Sequence, residues 1–155
     1  MADDLDKLIP SIQRHWLDQG LTIVNVSSAE IEAAERRLGS PIPMPHRLLL
    51  TKAGIAETQD NLGYRFWHPS EFKPAKIFGG GDAEGQYARY VFADYLDESW
   101  WFAISQARTT PGVVFRELGD EMFTSEALGD LSTFVAAYVA DDLRLYGETG
   151  TTDAE

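Results

Sequence analysis

Asp94, Asp97 and Glu98 place three carboxylates within five residues, flanked by Tyr95 and by the adjacent Trp100 and Trp101. Carboxylates this close can divide acid and base roles when their surroundings push the pKa values apart, which makes a carboxylate-dependent hydrolase one reading. The stretch supplies no nucleophile and no evident group to stabilise developing charge, and the same residues suit a solvated hairpin. Binding is therefore the expectation, and no catalytic residue is assigned. Adjacent strand residues point to opposite faces, so Trp100 and Trp101 cannot share one core layer. The second ring lies under a helix or loop, or serves as a partner-binding anchor. Tryptophan and tyrosine among carboxylates have the composition of an interface hot spot. Trp67, Asp94, Tyr95, Asp97, Glu98 and Trp101 are the expected partner-binding residues.

Other chemistries find less support. His15, His46 and His68 fall in separate segments and form no H-x-x-x-H or H-E-x-x-H pair, so no metal site is expected and each histidine reads as a surface or partly packed side chain. The glycine-rich run from Gly79 to Gly85 lacks the G-K-[ST] ending of a phosphate-binding loop. It also lacks the alternating oxygen ligands of a calcium loop, and reads as a flexible connection with no cofactor. Cysteine is absent, which removes both a disulfide framework and a thiolate nucleophile and suits a reducing cytoplasm.

These side chains need elements to position them. Leu5, Leu8, Ile9, Ile12 and Trp16 share a helical stripe ending near Gly20. Pro10 leaves two possibilities, a helix beginning near Lys7 with Asp6 as cap or a helix kinked at the proline. Ser27-Ser28-Ala29-Glu30 has the capping-box pattern, and Ile31, Ala34 and Leu38 predict a helix stopped by Gly39. Pro41, Pro43 and Pro45 suit the first turn of a third helix, with Leu48, Leu49 and Ala53 inward and Gly54 at its end. Short aromatic and β-branched runs then predict strands over 64–67, 87–94, 98–105, 112–117 and 121–124. Tight turns after Tyr95 and at Leu118-Gly119-Asp120 would join neighbours as hairpins. Leu131, Phe134, Val135, Tyr138 and Leu145 predict a closing helix over 130–146. Helices first, strands next and a helix last point to an α+β fold, an antiparallel sheet of about five strands flanked by helices. A single domain over 1–146 with a flexible acidic tail over 147–155 is the expected organisation.

The chain has 155 residues, 44% of them hydrophobic and 12% aromatic, enough for one core without covalent staples. Its formal net charge of −12 repels phosphate backbones and attracts basic partners, so direct nucleic-acid binding is not expected. The acidic start, Met1-Ala2-Asp3-Asp4, has no secretory pattern, and no apolar run reaches membrane-spanning length. The expectation is a cytoplasmic protein away from membranes.

Particular residues carry a resemblance across about 27–138. Ile31, Glu35, Leu38, Gly39, Ile42-Pro43, Arg47, Leu48, Leu49 and Ala53-Gly54 form a first block. Val91-Phe92-Ala93-Asp94-Tyr95-Leu96, Trp101-Phe102-Ala103-Ile104 and Val113-Val114-Phe115 form a second, and Leu131-Ser132-Thr133-Phe134-Val135 with Tyr138 a third. In order and spacing they resemble the SUKH superfamily of fungal cell-wall-synthesis regulators and bacterial immunity proteins. Ile42 stands where leucine is usual there, and Ala53 where a polar residue often precedes the glycine. The resemblance implies a sheet flanked by helices that binds other proteins and carries no family-wide catalytic residues. In immunity members the partner is commonly a toxin domain, often a nuclease whose basic cleft an acidic inhibitor can cover. A regulatory or scaffold adaptor, as among the fungal relatives, is the alternative.

Overall fold

A computed structural model describes residues 2–75, 89–106, 111–117, 125–142 and 145. The first helix, α1 (Ala2–Asp18), buries Leu5, Ile9, Ile12 and Trp16 on the stripe read from the sequence and runs through Pro10. It does not begin near Lys7. After β1 (Ile23–Val24) comes α2 (Ser28–Leu38), started by the full capping box: Ser27 Oγ accepts from Glu30 N while Glu30 Oε1 accepts from Ser27 N. Glu35 fixes the corner that follows, because Oε2 accepts from Ile42 N and from Arg47 Nη1, each at 2.8 Å. That clamp gives a physical reason for the Glu35, Ile42 and Arg47 spacing. The next helix, α3 (Met44–Lys52), leads through Gly54 into β2 (Ile55–Ala56), which pairs with β1. Gly54 has φ +77, and a Cβ there would lie 2.5 Å from Val24 O, so only glycine lets these segments meet.

The main sheet holds β3 (Tyr64–Phe66), β4 (Lys73–Pro74), β5 (Arg89–Tyr95), β6 (Trp100–Ser105), β7 (Val113–Glu117) and β8 (Ser125–Asp130). Its order is β3-β5-β6-β7-β8, with β4 beside the other end of β5, and every pairing is antiparallel. The closing helix α4 (Leu131–Ala140) is capped by Asp130, whose Oδ1 accepts from Thr133 N at 2.9 Å. The fold is thus α+β, an antiparallel sheet flanked by helices.

Several boundaries differ from the sequence reading. Helix α4 ends at Ala140, because Asp141 turns left-handed at φ +54. Strand β6 begins at Trp100, since 96–99 form the turn. β1, β2, β4 and β8 were not expected, being two-residue pairings or, in β8, a run of alanine, glycine and acids. The run 79–85, the proposed strand over 121–124, the turn at Leu118-Gly119-Asp120 and the tail over 147–155 lie outside the described residues.

Ring contacts from the helices converge on one face of the sheet. Trp16 of α1 meets Phe66, His46 of α3 meets Tyr90 and Phe92, and Phe134 of α4 meets Phe66, Phe92 and Phe102. Tyr138 packs edge-on against Tyr64 and Phe66. Within this layer Trp16 Nε1 donates to Tyr138 Oη at 2.8 Å, and Tyr138 Oη donates to buried Asp60 Oδ2. The other Asp60 oxygen accepts from Leu62 N and Tyr64 N, both at 2.9 Å. A non-local relay therefore ties α1 and α4 to the turn entering β3.

His46 is fully buried rather than at the surface, stacked on Phe72 and Tyr90 with Nδ1 2.5 Å from Tyr90 Oη. Burial lowers its pKa to about 3. An unfolded histidine takes up its proton near 6.5, so the folded state loses stability as pH falls from there toward 3, with a limiting slope of about 1.4 kcal/mol per pH unit from this group. Urea unfolding of His46→Gln between pH 7 and 4 should show a shallower loss than the parent; equal slopes would contradict the burial of a neutral ring. Tyr138→Phe strands both the Trp16 donor and an Asp60 acceptor, and should lower unfolding free energy by about 2–4 kcal/mol at pH 7. A loss below about 0.5 kcal/mol would show that the relay bears no stability.

Candidate partner-binding surface

Strand β5 decides where the expected binding residues go. Tyr90 and Phe92 both face the helices, and strict alternation would send Asp94 the same way. A bulge between Val91 and Ala93 shifts the phase, so that Tyr95 returns to the helix side and Asp94 turns to the opposite face. There it lies in a cross-strand row with Arg65, Trp101 and Glu117.

Two of the six expected binding residues are interior. Trp67 is 3% exposed and Asp94 is 0% exposed, and they bond each other, Trp67 Nε1 donating to Asp94 Oδ2 at 2.6 Å. Arg65 Nη2 adds an ion pair to the same oxygen at 3.1 Å, its guanidinium lies 5.2 Å from the Trp67 ring, and its Nη1 reaches Glu71 at 3.2 Å. The reading of these two residues as surface contacts is corrected: a carboxylate facing two strong donors from the neighbouring strand segment is drawn inward. Burial raises the Asp94 pKa above the ordinary aspartate value, against the Trp67 hydrogen bond, Arg65 and the Glu98 amide, which lower it.

The other four surround the turn between β5 and β6. Leu96, Asp97 and Glu98 have φ of +49, +54 and +68, three consecutive left-handed residues without glycine. Each costs roughly 1–2 kcal/mol for an L-residue, so the conformation persists only because its surroundings hold it. Ser99 N donates to Tyr95 O, Leu96 N to Gly63 O at 2.8 Å, and Glu98 N to Asp94 Oδ1 at 3.3 Å. Trp101 Nε1 donates to Glu98 Oε1 at 2.9 Å. Gly63 sits under the turn at φ +103, and a Cβ there would lie 2.8 Å from Leu96 Cδ2.

What the turn presents is apolar and acidic. Leu96 is 48% exposed, Leu62 beside it 38%, and Asp97 and Glu98 are exposed. Among the described residues neither acid has an ion-pair partner, while the nearby guanidinium of Arg65 is engaged by Asp94 and Glu71. Half-buried Tyr95 stacks on Trp100 at 4.6 Å and packs against Tyr64 at 4.9 Å. Burial, then Asp141 and Asp60, raise its phenol pKa, so the hydroxyl keeps its proton at neutral pH. Trp100 and Trp101 fall on opposite faces as alternation requires, both half-buried.

Asp94 and Trp67 thus act from beneath, Glu98 and Trp101 brace the turn from the face opposite the helices, and Tyr95 braces it from the helix side. Asp97 stands at the tip. Leu62, Gly63 and Leu96 were missed, although Asp60-Asn61-Leu62-Gly63 carries a turn signal. Among the described residues, no three His, Asp or Glu side chains are grouped to hold a metal ion, and no helix is long and apolar enough to cross a membrane.

Strain in the turn gives two substitutions of opposite sign. Asp97→Gly should raise unfolding free energy by about 0.5–1 kcal/mol, because glycine adopts this φ without penalty. Gly63→Ala should lower it by about 1–3 kcal/mol and displace Leu96. Urea unfolding reads both, and a destabilising Asp97→Gly would contradict a strained turn. No protein-family model, no curated protein and no solved structure matches this chain.

Proposed function

We propose that this chain is a non-catalytic protein-binding domain of the SUKH type, a cytoplasmic immunity protein that neutralises a cognate basic toxin domain such as a nuclease. The observation that carries the reading is the 96–99 turn: two exposed carboxylates with no cationic partner among the described residues, beside two exposed leucines, on a backbone held from both faces of the sheet. A rigid surface of this kind loses little entropy on binding. A net charge of −12 steers a basic partner toward it, and the three sequence blocks resemble a superfamily rich in immunity proteins.

The test begins with capture of the partner from a lysate of the cell that makes this protein. Expected is a stoichiometric partner of basic net charge, whose expression alone is toxic and whose toxicity is abolished by co-expressing this chain. Its association rate should fall as salt rises, and Asp97→Lys should slow association by about tenfold at low ionic strength with the melting temperature little changed. An acidic partner, or binding indifferent to both salt and Asp97→Lys, would overturn the assignment of this surface. A basic but harmless partner would favour the adaptor over immunity.

A further inference from the structure

Two hydrogen-bond donors and one guanidinium converge on the two oxygens of Asp94. Oδ2 takes Trp67 Nε1 at 2.6 Å and Arg65 Nη2 at 3.1 Å, and Oδ1 takes the backbone amide of Glu98 at 3.3 Å. An ionised carboxylate is acceptor-only at both positions. An amide, or an acid carrying a proton, puts a donor at one of them, facing either the indole and guanidinium or the Glu98 N–H. The shorter bond to Trp67 and the ion pair with Arg65 hold their oxygen, so the longer bond to the turn is the one given up.

We propose that Asp94 is a positioning residue for the 96–99 turn: its buried carboxylate fastens the left-handed backbone that presents Leu96 and Asp97, and loss of its charge loosens the turn while the fold persists. The inference rests on the reading of this turn as the partner-binding surface. The groups facing Asp94 are few. Arg65 comes from β3 and shares its charge with Glu71, Trp67 follows β3 as a neutral donor, and Glu98 lies in the turn as a like charge. Trp101 comes from β6 as a neutral ring bonded to Glu98, with Glu117 beyond it on β7 paired to Arg89.

The direction with pH follows. Asp94 takes its proton at a higher pH than an ordinary aspartate, so the turn is fastened above that midpoint and loosens as pH falls through it. A carboxyl whose folded pKa is raised above its unfolded value has its ionised form disfavoured by the fold, so the stability it contributes is present in acid and lost as pH rises. Protonating Asp94 therefore does not by itself cost the folded state stability, so a loosened turn in acid is distinct from the onset of global unfolding.

NMR on the full chain tests this without a partner. In the parent, the Trp67 and Trp101 indole protons and the Glu98 amide should titrate with one shared midpoint above about 4, the ordinary aspartate value. In Asp94→Asn that titration should vanish and the Glu98 and Ser99 amides should exchange at least about tenfold faster, with the melting temperature retained. Arg65→Met, which removes the nearby positive charge, should raise the midpoint and serves if Asp94→Asn does not fold. A Glu98 amide that ignores the titration of the Trp67 indole, or exchange unchanged in folded Asp94→Asn, would overturn the proposal. If the turn loosens in Asp94→Asn while the captured toxin binds as tightly as before, the positioning role stands and the binding-surface reading falls. Weaker binding without loosening would overturn the positioning role alone.

Discussion

A carboxylate leaves water only where hydrogen-bond donors or cations replace the solvent it loses; among the described residues Asp60, Asp94 and Glu117 are buried, and the first two lie on opposite sides of the strand pair that carries the strained turn. Asp60 lies on the helix side, met by Tyr138 and by the amides of Leu62 and Tyr64. Asp94 lies on the opposite face, met by Trp67, Arg65 and the Glu98 amide. The first sets the turn holding Gly63, whose carbonyl takes the amide of Leu96; the second takes the amide two residues further on. The tip is therefore fixed from both faces by groups that cannot move without exposing or orphaning a charge.

This arrangement links packing to presentation. The aromatic layer beneath the helices gives Tyr138 its place, and Tyr138 holds Asp60 in turn. Tyr64, Tyr95 and Trp100 continue the ring contacts outward to the base of the tip. Beyond them stand Leu62, Leu96, Asp97 and Glu98, exposed on a turn in which Asp94, Tyr95, Leu96, Glu98, Ser99 and Trp100 are each paired, bonded or stacked. Ordering that an ordinary loop would undergo at the moment of association is already complete in the folded chain.

Local signals in the sequence were sufficient for what local interactions decide. The Ser27 and Glu30 capping box started α2 where expected, and Ile9, Ile12 and Trp16 marked the inward side of α1. The hairpin after Tyr95 and the antiparallel sheet were also legible. Non-local interactions were not. Trp67 and Asp94 read as surface residues because the hydrogen bond that buries them joins positions 27 apart, and His46 gave no sign of the aromatic box around it. The Val91 bulge, which aims Asp94 away from the helices, breaks the alternation on which strand reading depends. Strand β8 has poor strand formers in Ala127 and Gly129 and exists through its pairing with β7.

Hydrogen–deuterium exchange of the chain, free and saturated with its captured partner, tests most directly whether the braced tip is where this molecule works. The expected result is new protection at residues 95–99 and 61–63, with the aromatic layer beneath unchanged. Protection confined to the outer side of α2 or to β8, with the 96–99 turn exchanging as it does in the free protein, would contradict it.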